Sequence, residues 1–280
     1  MSVPVVEILV IGNEVLAGDV LDSNSHWLCR ALAARGARVT RVTVLPDEPA
    51  TIGEALLTAR SRGPDLILTC GGLGPTADDL TVAAIAGALG QPLDEHPTAY
   101  AMIRDFYARL YARGDVTTPD MTPARAKMAQ MPLSAEPLTN TVGAAPGVLL
   151  QDEDTLIVSL PGVPAEMKDI FTHALSPQLD AAFHSRAYAE RTVATDCWDE
   201  SILAPAVDAV ARRHPAVYVK SRAQVYGSGV ADFITLAARG RDAAEVTRLL
   251  DAAEADTLAA LAAVGIRAGA AIAEGSADGR

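Results

Sequence analysis

Apolar residues run almost unbroken through Val5-Val6-Glu7-Ile8-Leu9-Val10-Ile11 and stop at Gly12. A mostly β-branched run of this kind reads as a strand buried on both faces, as in a parallel sheet covered by helices. The period then changes. Trp27, Leu28, Ala31 and Leu32 recur at helical spacing behind Asp22 or Ser23, either of which suits a helix start, and Gly36 stops the helix. Ala37 to Leu45 predicts a second strand. Thr51 to Arg62 predicts a helix with Ile52, Ala55, Leu56 and Ala59 on its apolar face, and Leu66 to Thr69 a short buried strand. The β-α-β-α-β order calls for a parallel sheet with right-handed crossovers, a layout that holds ligands at the carboxyl ends of its strands.

Helices are expected from Asp79 to Leu89 and from Thr98 to Ala112, followed by a polar, proline-containing loop from Gly114 to Pro123. Strands Gly147 to Leu150 and Thr155 to Leu160 flank the turn-like Gln151-Asp152-Glu153-Asp154 and predict a hairpin, hence an antiparallel element in the sheet. Pro161-Gly162-Val163-Pro164 breaks the second strand, and Ala165 to Leu175 predicts a helix ending at Ser176-Pro177. A domain boundary is placed near Phe183, giving an α/β domain over residues 1–183. The remainder reads strand (Arg191 to Thr195), helix (Glu200 to Arg213), strand (Val217 to Lys220), strand (Ala231 to Ala238) and helix (Ala243 to Val264). That is a small α+β module over residues 184–266. Residues 267–280 are rich in Ala and Gly without an apolar face, so a disordered tail is expected.

Composition narrows the partners. Half of the 280 residues are apolar, enough to bury a proper core, and the net charge of -12 with a pI near 4.8 argues against nucleic acid or an anionic membrane surface. Cys29, Cys70 and Cys197 lie far apart and form no CxxC pair, so neither a disulfide framework nor a structural zinc site is suggested. No apolar run approaches the roughly 20 residues of a membrane span and no signal-peptide pattern opens the chain, so a cytoplasmic location is expected.

The strongest local signal for chemistry is Gly71-Gly72-Leu73-Gly74-Pro75-Thr76-Ala77-Asp78-Asp79-Leu80-Thr81, glycines set between a strand and a helix. Three glycines let backbone N–H groups approach an anion, Thr76 adds a hydroxyl donor, and a helix N-terminus favours negative charge. A phosphate fits there. Asp78 and Asp79 would repel it unless a divalent cation sits between carboxylate and phosphoryl oxygens, so the conflict points to a hard metal such as Mg²⁺. The plainer alternative makes the glycines a tight turn and the two aspartates helix caps. No Lys follows the glycines and the spacing is not GxGxxG, so neither the Walker A nor the Rossmann fingerprint applies.

The ordered blocks Gly12-Asn13-Glu14-Val15-Leu16-Ala17-Gly18, Asp22-Ser23-Asn24, Gly71 to Thr81, Asn140-Thr141-Val142-Gly143-Ala144-Ala145-Pro146-Gly147 and Leu160-Pro161-Gly162-Val163-Pro164-Ala165-Glu166-Met167 resemble the N-terminal domain of the CinA family. That family belongs to the molybdopterin-binding superfamily with MogA and MoaB, and the likeness covers about two-thirds of the chain. The module after Arg191 is similar to the family's small KH-type domain, although it has no basic GxxG loop and RNA binding is discounted.

The resemblance implies a three-layer α/β/α sandwich, a site for a phosphorylated small molecule (nucleotide or pterin), and divalent-metal-dependent hydrolysis of ADP-ribose or a related pyrophosphate. The metal would be Mg, Mn or Co. Carried over by position, Gly71, Gly72, Leu73, Gly74, Pro75, Thr76 and Thr81 would bind phosphate, with Gly12 and Asn13 beside them. Asp78 and Asp79 would hold the metal or orient water. Glu14, Asn24 and Asp47 would approach from neighbouring strand ends, while Asn140, Gly143, Ala145, Pro146, Gly147, Pro161, Gly162 and Glu166 would complete the wall. A homodimer is expected by the same analogy. No amidohydrolase region follows the small module, so deamidase activity is not expected. Departures from the usual pattern fall at Asn13, Cys70, Thr141 and Val163, none of which removes a proposed charge.

The other polar residues carry less. His26, His96, His173, His184 and His214 show no metal-ligand spacing, and surface or helix roles are expected. Cys70 has no His or Lys placed to make a thiolate and is read as buried and structural. Lys127 and Arg125 suit either a phosphate clamp or solvated helix charges, with Lys127 the better clamp; Lys220, Arg222 and Tyr226 stay undecided. Two functions share this loop: metal-assisted hydrolysis of a nucleotide pyrophosphate, and molybdopterin binding or adenylylation.

Overall fold

The computed structural model describes residues 3–183, 187–222 and 232–270, which form two compact units parting between His184 and Ser185. The first unit runs β1 (Val5–Ile11), the single turn α1 (Asn13–Leu16), α2 (Ser23–Ala34), β2 (Arg38–Leu45), α3 (Pro49–Arg60), β3 (Leu66–Cys70) and α4 (Thr81–Ala88). It continues through β4 (Asp94–Glu95), α5 (Pro97–Arg113), α6 (Pro123–Lys127), β5 (Gln130–Met131), β6 (Glu136–Leu138), β7 (Gly147–Asp152) and β8 (Thr155–Leu160). A last continuous helical stretch comprises α7 (Pro164–Asp169), a π-helical turn (Ile170–Leu175) and α8 (Ser176–Phe183).

The main sheet has six strands in the order β2-β1-β3-β8-β7-β6. The β2-β1-β3-β8 pairings are parallel, and β7 alone runs against its neighbours β8 and β6. Alternate residues of β1 supply two cores. Leu9 and Ile11 face Ile52, Leu56 and Ala59 of α3, Ala84 and Ile85 of α4, and Ala99 and Ile103 of α5. Val6, Ile8 and Val10 face Leu28 and Leu32 of α2, Met167 of α7, and Leu179 and Phe183 beyond. Helices on both faces of a mostly parallel sheet make the three-layer α/β/α sandwich that strand patterning implies.

The second unit comprises β9 (Ala187–Thr195), α9 (Glu200–Arg213), β10 (Val217–Arg222), β11 (Phe233–Gly240), α10 (Ala243–Ala263) and β12 (Ala268–Ala270). Its antiparallel sheet has the order β10-β11-β9-β12, the split β-α-β arrangement.

Several expectations change. The helix predicted from Asp79 begins at Thr81, because residues 76–80 are taken up by a turn. The helix predicted to stop at Ser176-Pro177 continues to Phe183. Pro177 lacks the N–H that an α-helix would use, and a π-helical turn precedes it in which the Ser176 hydroxyl donates to the Phe171 carbonyl at 2.6 Å. The tail expected to be disordered from Arg267 instead adds β12 to the edge of β9, with Arg267 donating to Asp196 through Nε and its backbone N–H. Small residues pair through backbone alone, so no apolar alternation announced that strand. Positions 271–280, Tyr226 and His184 lie outside the described residues.

One charge interrupts the first core. Glu7, 3 % exposed on the central strand, accepts from Arg62 Nε at 2.7 Å and Nη2 at 2.5 Å just beyond α3. Removing one partner of a buried pair strands the other, whereas an apolar pair of similar volume is tolerated. Only Glu7 of the pair is buried, Arg62 being 34 % exposed, so Arg62→Met is expected to cost about 1–3 kcal/mol in urea unfolding, and the Glu7→Leu/Arg62→Met double variant to recover most of it.

Candidate functional site

The carboxyl ends of four adjacent strands open into one cleft of about 560 Å³. Ile11 and Gly12 enter it after β1, Asp47 after β2, the segment from Gly71 to Thr76 after β3, and Pro161 to Pro164 after β8. The glycine loop is shaped by crowding. Gly71 (φ +114°) passes under the Ile11 carbonyl so closely that a Cβ would overlap its oxygen, and a Cβ on Gly72 (φ +68°) would overlap the Thr81 hydroxyl. Fully buried Thr81 closes the loop by donating its hydroxyl to the Gly71 carbonyl at 2.7 Å, while its N–H donates to the Gly72 carbonyl. Among the described residues the N–H groups of Gly72, Leu73 and Gly74 meet no acceptor. They are donors available to an anion.

Asp78 and Asp79 do not cap the helix. The residue before α4 is Leu80, and no side chain bonds there. Both carboxylates turn back onto Thr76, whose hydroxyl meets Asp78 Oδ1 and lies 2.6 Å from Asp79 Oδ2, and the Thr76 N–H donates to the same Asp79 oxygen at 2.8 Å. The Thr76 hydroxyl, its own backbone and the Lys127 charge hold the Asp78 carboxyl below the usual range. Lys127 places its ammonium on the Thr76 carbonyl and is not among the lining residues, so it braces the loop rather than reaching across the cleft. Arg125 lies elsewhere again, stacked on the Tyr107 ring at 3.7 Å.

The opposite wall is tied by Asn140. Its Oδ1 accepts from the N–H groups of Val142 and Gly143, and its Nδ2 donates to the Ala145 carbonyl at 2.8 Å and to Glu166 Oε2 at 2.6 Å. Gly143 lies against that carboxylate. Burial pushes the Glu166 carboxyl up, partly offset by the Asn140 donor. Asp169 anchors the same loop by accepting from the Thr141 N–H and hydroxyl and from His173 Nδ1. Burial would raise the Asp169 carboxyl, but these donors outweigh it and hold it low.

The lining includes Gly12, Glu14, Asp47, Asp78, Asp79, Ala145, Pro161, Gly162 and Glu166 with the loop from Gly71 to Thr76. The remaining sequence candidates stand behind the wall. Asn13 donates its N–H to Asp47 Oδ2 at 2.8 Å, and Asn24 donates to the Gly162 carbonyl at 2.7 Å and to Cys70 Sγ, with its own Oδ1 left without a partner. Pro146 and Gly147 enter β7, where a Cβ on Gly147 would press on Ile170 and Leu138. Burial pushes the Cys70 thiol up to about 12, so it stays protonated as a structural residue. Ala144, Val163 and Pro164 of the motif blocks also line the cleft, as do Tyr107 and Met128, which sequence reasoning passed over. Tyr107 and Met128 come from segments read only as a helix and as the stretch after a loop.

Residues 7–181 match the family model described as "Probable molybdopterin binding domain". The chain belongs to that family. It is 42% identical over 217 residues to a protein of Aeropyrum pernix, covering 78% of each chain. It is 38% identical over 202 residues to one of Pyrococcus furiosus, covering 72% of this chain and 79% of that one. Among solved structures, the protein CinA of Thermoplasma acidophilum, described as of unknown function, is similar at 33% identity with a TM-score of 0.56, covering 65% of this chain and 98% of that one. The family span encloses the whole cleft, from Ile11 to Glu166.

Five carboxylates, of Glu14, Asp47, Asp78, Asp79 and Glu166, line this cleft, and no Lys, Arg or His does among the described residues. Glu166 makes the local balance pH-dependent. Its folded-state affinity for a proton is raised, so its contribution to stability is fully present below the ordinary value of 4.5 and is lost as pH rises through the folded value. Asn140→Asp would remove the donor and add a second carboxylate, raising Glu166 further. The loss of stability is expected to be small near pH 4 and to widen toward pH 8, reaching about 1–3 kcal/mol, and a pH series of thermal melts reads it as a growing fall in Tm.

Proposed function

We propose that the cleft binds a phosphorylated small molecule together with a divalent cation, and that it hydrolyses a nucleotide pyrophosphate such as ADP-ribose. The observation that carries this reading is the pairing of free N–H donors on the glycine loop with a lining that has carboxylates and no cationic side chain. A phosphate seated on Gly72, Leu73 and Gly74 would meet uncompensated repulsion from Asp78 and Asp79. The donor set fits a hard cation: two carboxylates converge on one hydroxyl, and phosphate oxygens and water would fill the other positions. No group of three or more His, Cys, Asp or Glu gathers among the described residues, so the ligand itself would complete the shell. Asp78 and Asp79 would hold Mg²⁺, Mn²⁺ or Co²⁺. Such an ion supplies charge neutralisation and polarisation of a phosphoryl oxygen.

The protein's own groups then have separable tasks. The loop N–H groups orient the phosphate and stabilise charge that builds on its oxygens. Glu14 and Glu166 flank the cleft, and the one whose proton affinity is raised, Glu166, suits acceptance of a proton from an attacking water. No covalent nucleophile is needed, and the protonated Cys70 thiol is unsuited to be one.

A second reading is molybdopterin binding or adenylylation, as in molybdenum cofactor biosynthesis, and it is favoured by the family match over residues 7–181. Both readings place a phosphate on the same loop, so the reaction distinguishes them. The test incubates the purified protein with ADP-ribose, FAD, NAD or molybdopterin and each metal, scoring AMP release and bound ligand separately. AMP release without metal, or retention of molybdopterin with no hydrolysis of any dinucleotide, would count against the first reading. Within it, Asp79→Asn keeps an oxygen for Thr76 but removes one charge. Turnover is expected to fall by on the order of 10² or more and calorimetric metal affinity to weaken, with little change in Tm. Unchanged turnover and metal affinity would return the pair to a purely structural role in the Thr76 turn.

A further inference from the structure

The lining of the cleft also has apolar members, Tyr107 of α5, Met128 just after α6, and Ala144 of the loop that Asn140 ties. Tyr107 is held in a way that core packing does not require. One face of its ring carries the Arg125 guanidinium, 3.7 Å from the ring centroid. Arg125 is itself fixed, with Nη1 donating to the Thr118 carbonyl at 2.9 Å and to the Asp120 carbonyl at 2.7 Å. Phe106 meets the Tyr107 ring edge-on at 5.8 Å. The ring is therefore clamped, and of the stacked pair Tyr107 lines the cleft while Arg125 does not. A cation behind an aromatic ring draws electron density away from the opposite face, which favours stacking of an electron-rich planar ring there.

We propose that Tyr107 is the stacking platform for the heteroaromatic ring of the ligand, with Arg125 as the residue that positions and polarises it, and that the cleft selects ligands carrying a purine or pterin ring over bare phosphates. This rests on the reading of the glycine loop as the phosphate site, and adds which side chain the ligand's ring packs on. The remaining side chains there are consistent with the assignment. Met128 offers a polarisable thioether to the same cleft, and Ala144 a small apolar side chain.

The experiment measures, by titration calorimetry with Mg²⁺ present, the affinity of the full chain for ADP, for neopterin triphosphate and for inorganic pyrophosphate. Tyr107→Leu keeps apolar volume against the core but removes the ring. It is expected to weaken the two ring-bearing ligands by roughly 5- to 100-fold, the range that alanine substitution gives for base–aromatic stacking, and to leave pyrophosphate unchanged. Tyr107→Phe should bind all three as the wild type does. Arg125→Met should give a smaller loss in the same direction, and whichever of ADP and neopterin triphosphate loses more identifies the preferred ring. Equal weakening of pyrophosphate and ADP by Tyr107→Leu, or no weakening of either ring-bearing ligand, overturns the assignment; thermal melts of each variant show whether it folds. Failure of the wild type to bind pyrophosphate or either ring-bearing ligand would instead sink the phosphate reading of the loop, and this proposal with it.

Discussion

A single hydroxyl determines the shape of the site. Thr81, with no exposed surface at the first turn of α4, donates to the carbonyl of Gly71 at the end of β3. That bond joins the residue just after a buried strand to the first turn of the helix that follows, and everything between must bulge outward. Gly71 and Gly72 adopt positive φ because the Ile11 carbonyl on one side and the Thr81 hydroxyl on the other leave no room for a Cβ. The N–H groups of Gly72, Leu73 and Gly74 are consequently turned away from any strand or helix ladder, which is why they meet no acceptor among the described residues.

The same economy of backbone governs the opposite wall. Asn140 uses both ends of its amide on the loop from Val142 to Ala145 and on Glu166, while Asp169 pins Thr141 from beneath. On neither side does a cationic side chain line the cleft among the described residues; Lys127 and His173 act from behind it. Arg62, which does pair with a carboxylate, serves Glu7 in the core. The protein has kept its positive charge out of the cleft while surrounding it with negative charge, a division that is coherent if the cleft takes its counter-charge from solution together with the ligand.

Much of the architecture was legible because burial imposes periodicity. The β1, β2 and β3 strands and the α3, α9 and α10 helices follow from runs and spacings that only one kind of element satisfies. Elements held by backbone pairing alone were not. The three-residue β6 and the Ala-Gly-Ala strand β12 carry no pattern of their own, and each exists because a longer strand offers it an edge. For the cleft, the glycine blocks marked the loop, since positive φ and close approach demand glycine. They could not distinguish a residue facing the ligand from one bracing the wall. Asn24 and Lys127 have the chemistry of ligands, yet their hydrogen bonds go to the Gly162 and Thr76 carbonyls. Tyr107 has the spacing of a core residue, and only its stacking partner, 18 positions along the chain at Arg125, sets it apart.

The π-helical turn at Ile170–Leu175 has a consequence for how the wall and the core are phased. An α-helix advances about 100° per residue, so a wider turn within it rotates everything downstream relative to everything upstream. Upstream, Glu166 and Asp169 must point at the loop that Asn140 organises; downstream, Leu179 and Phe183 must point into the sheet. A continuous α-helix would lock those two orientations together. The wide turn lets each half keep its own angular phase, so that substitutions which re-seat the core side of α8 need not rotate the carboxylates of α7 out of the cleft.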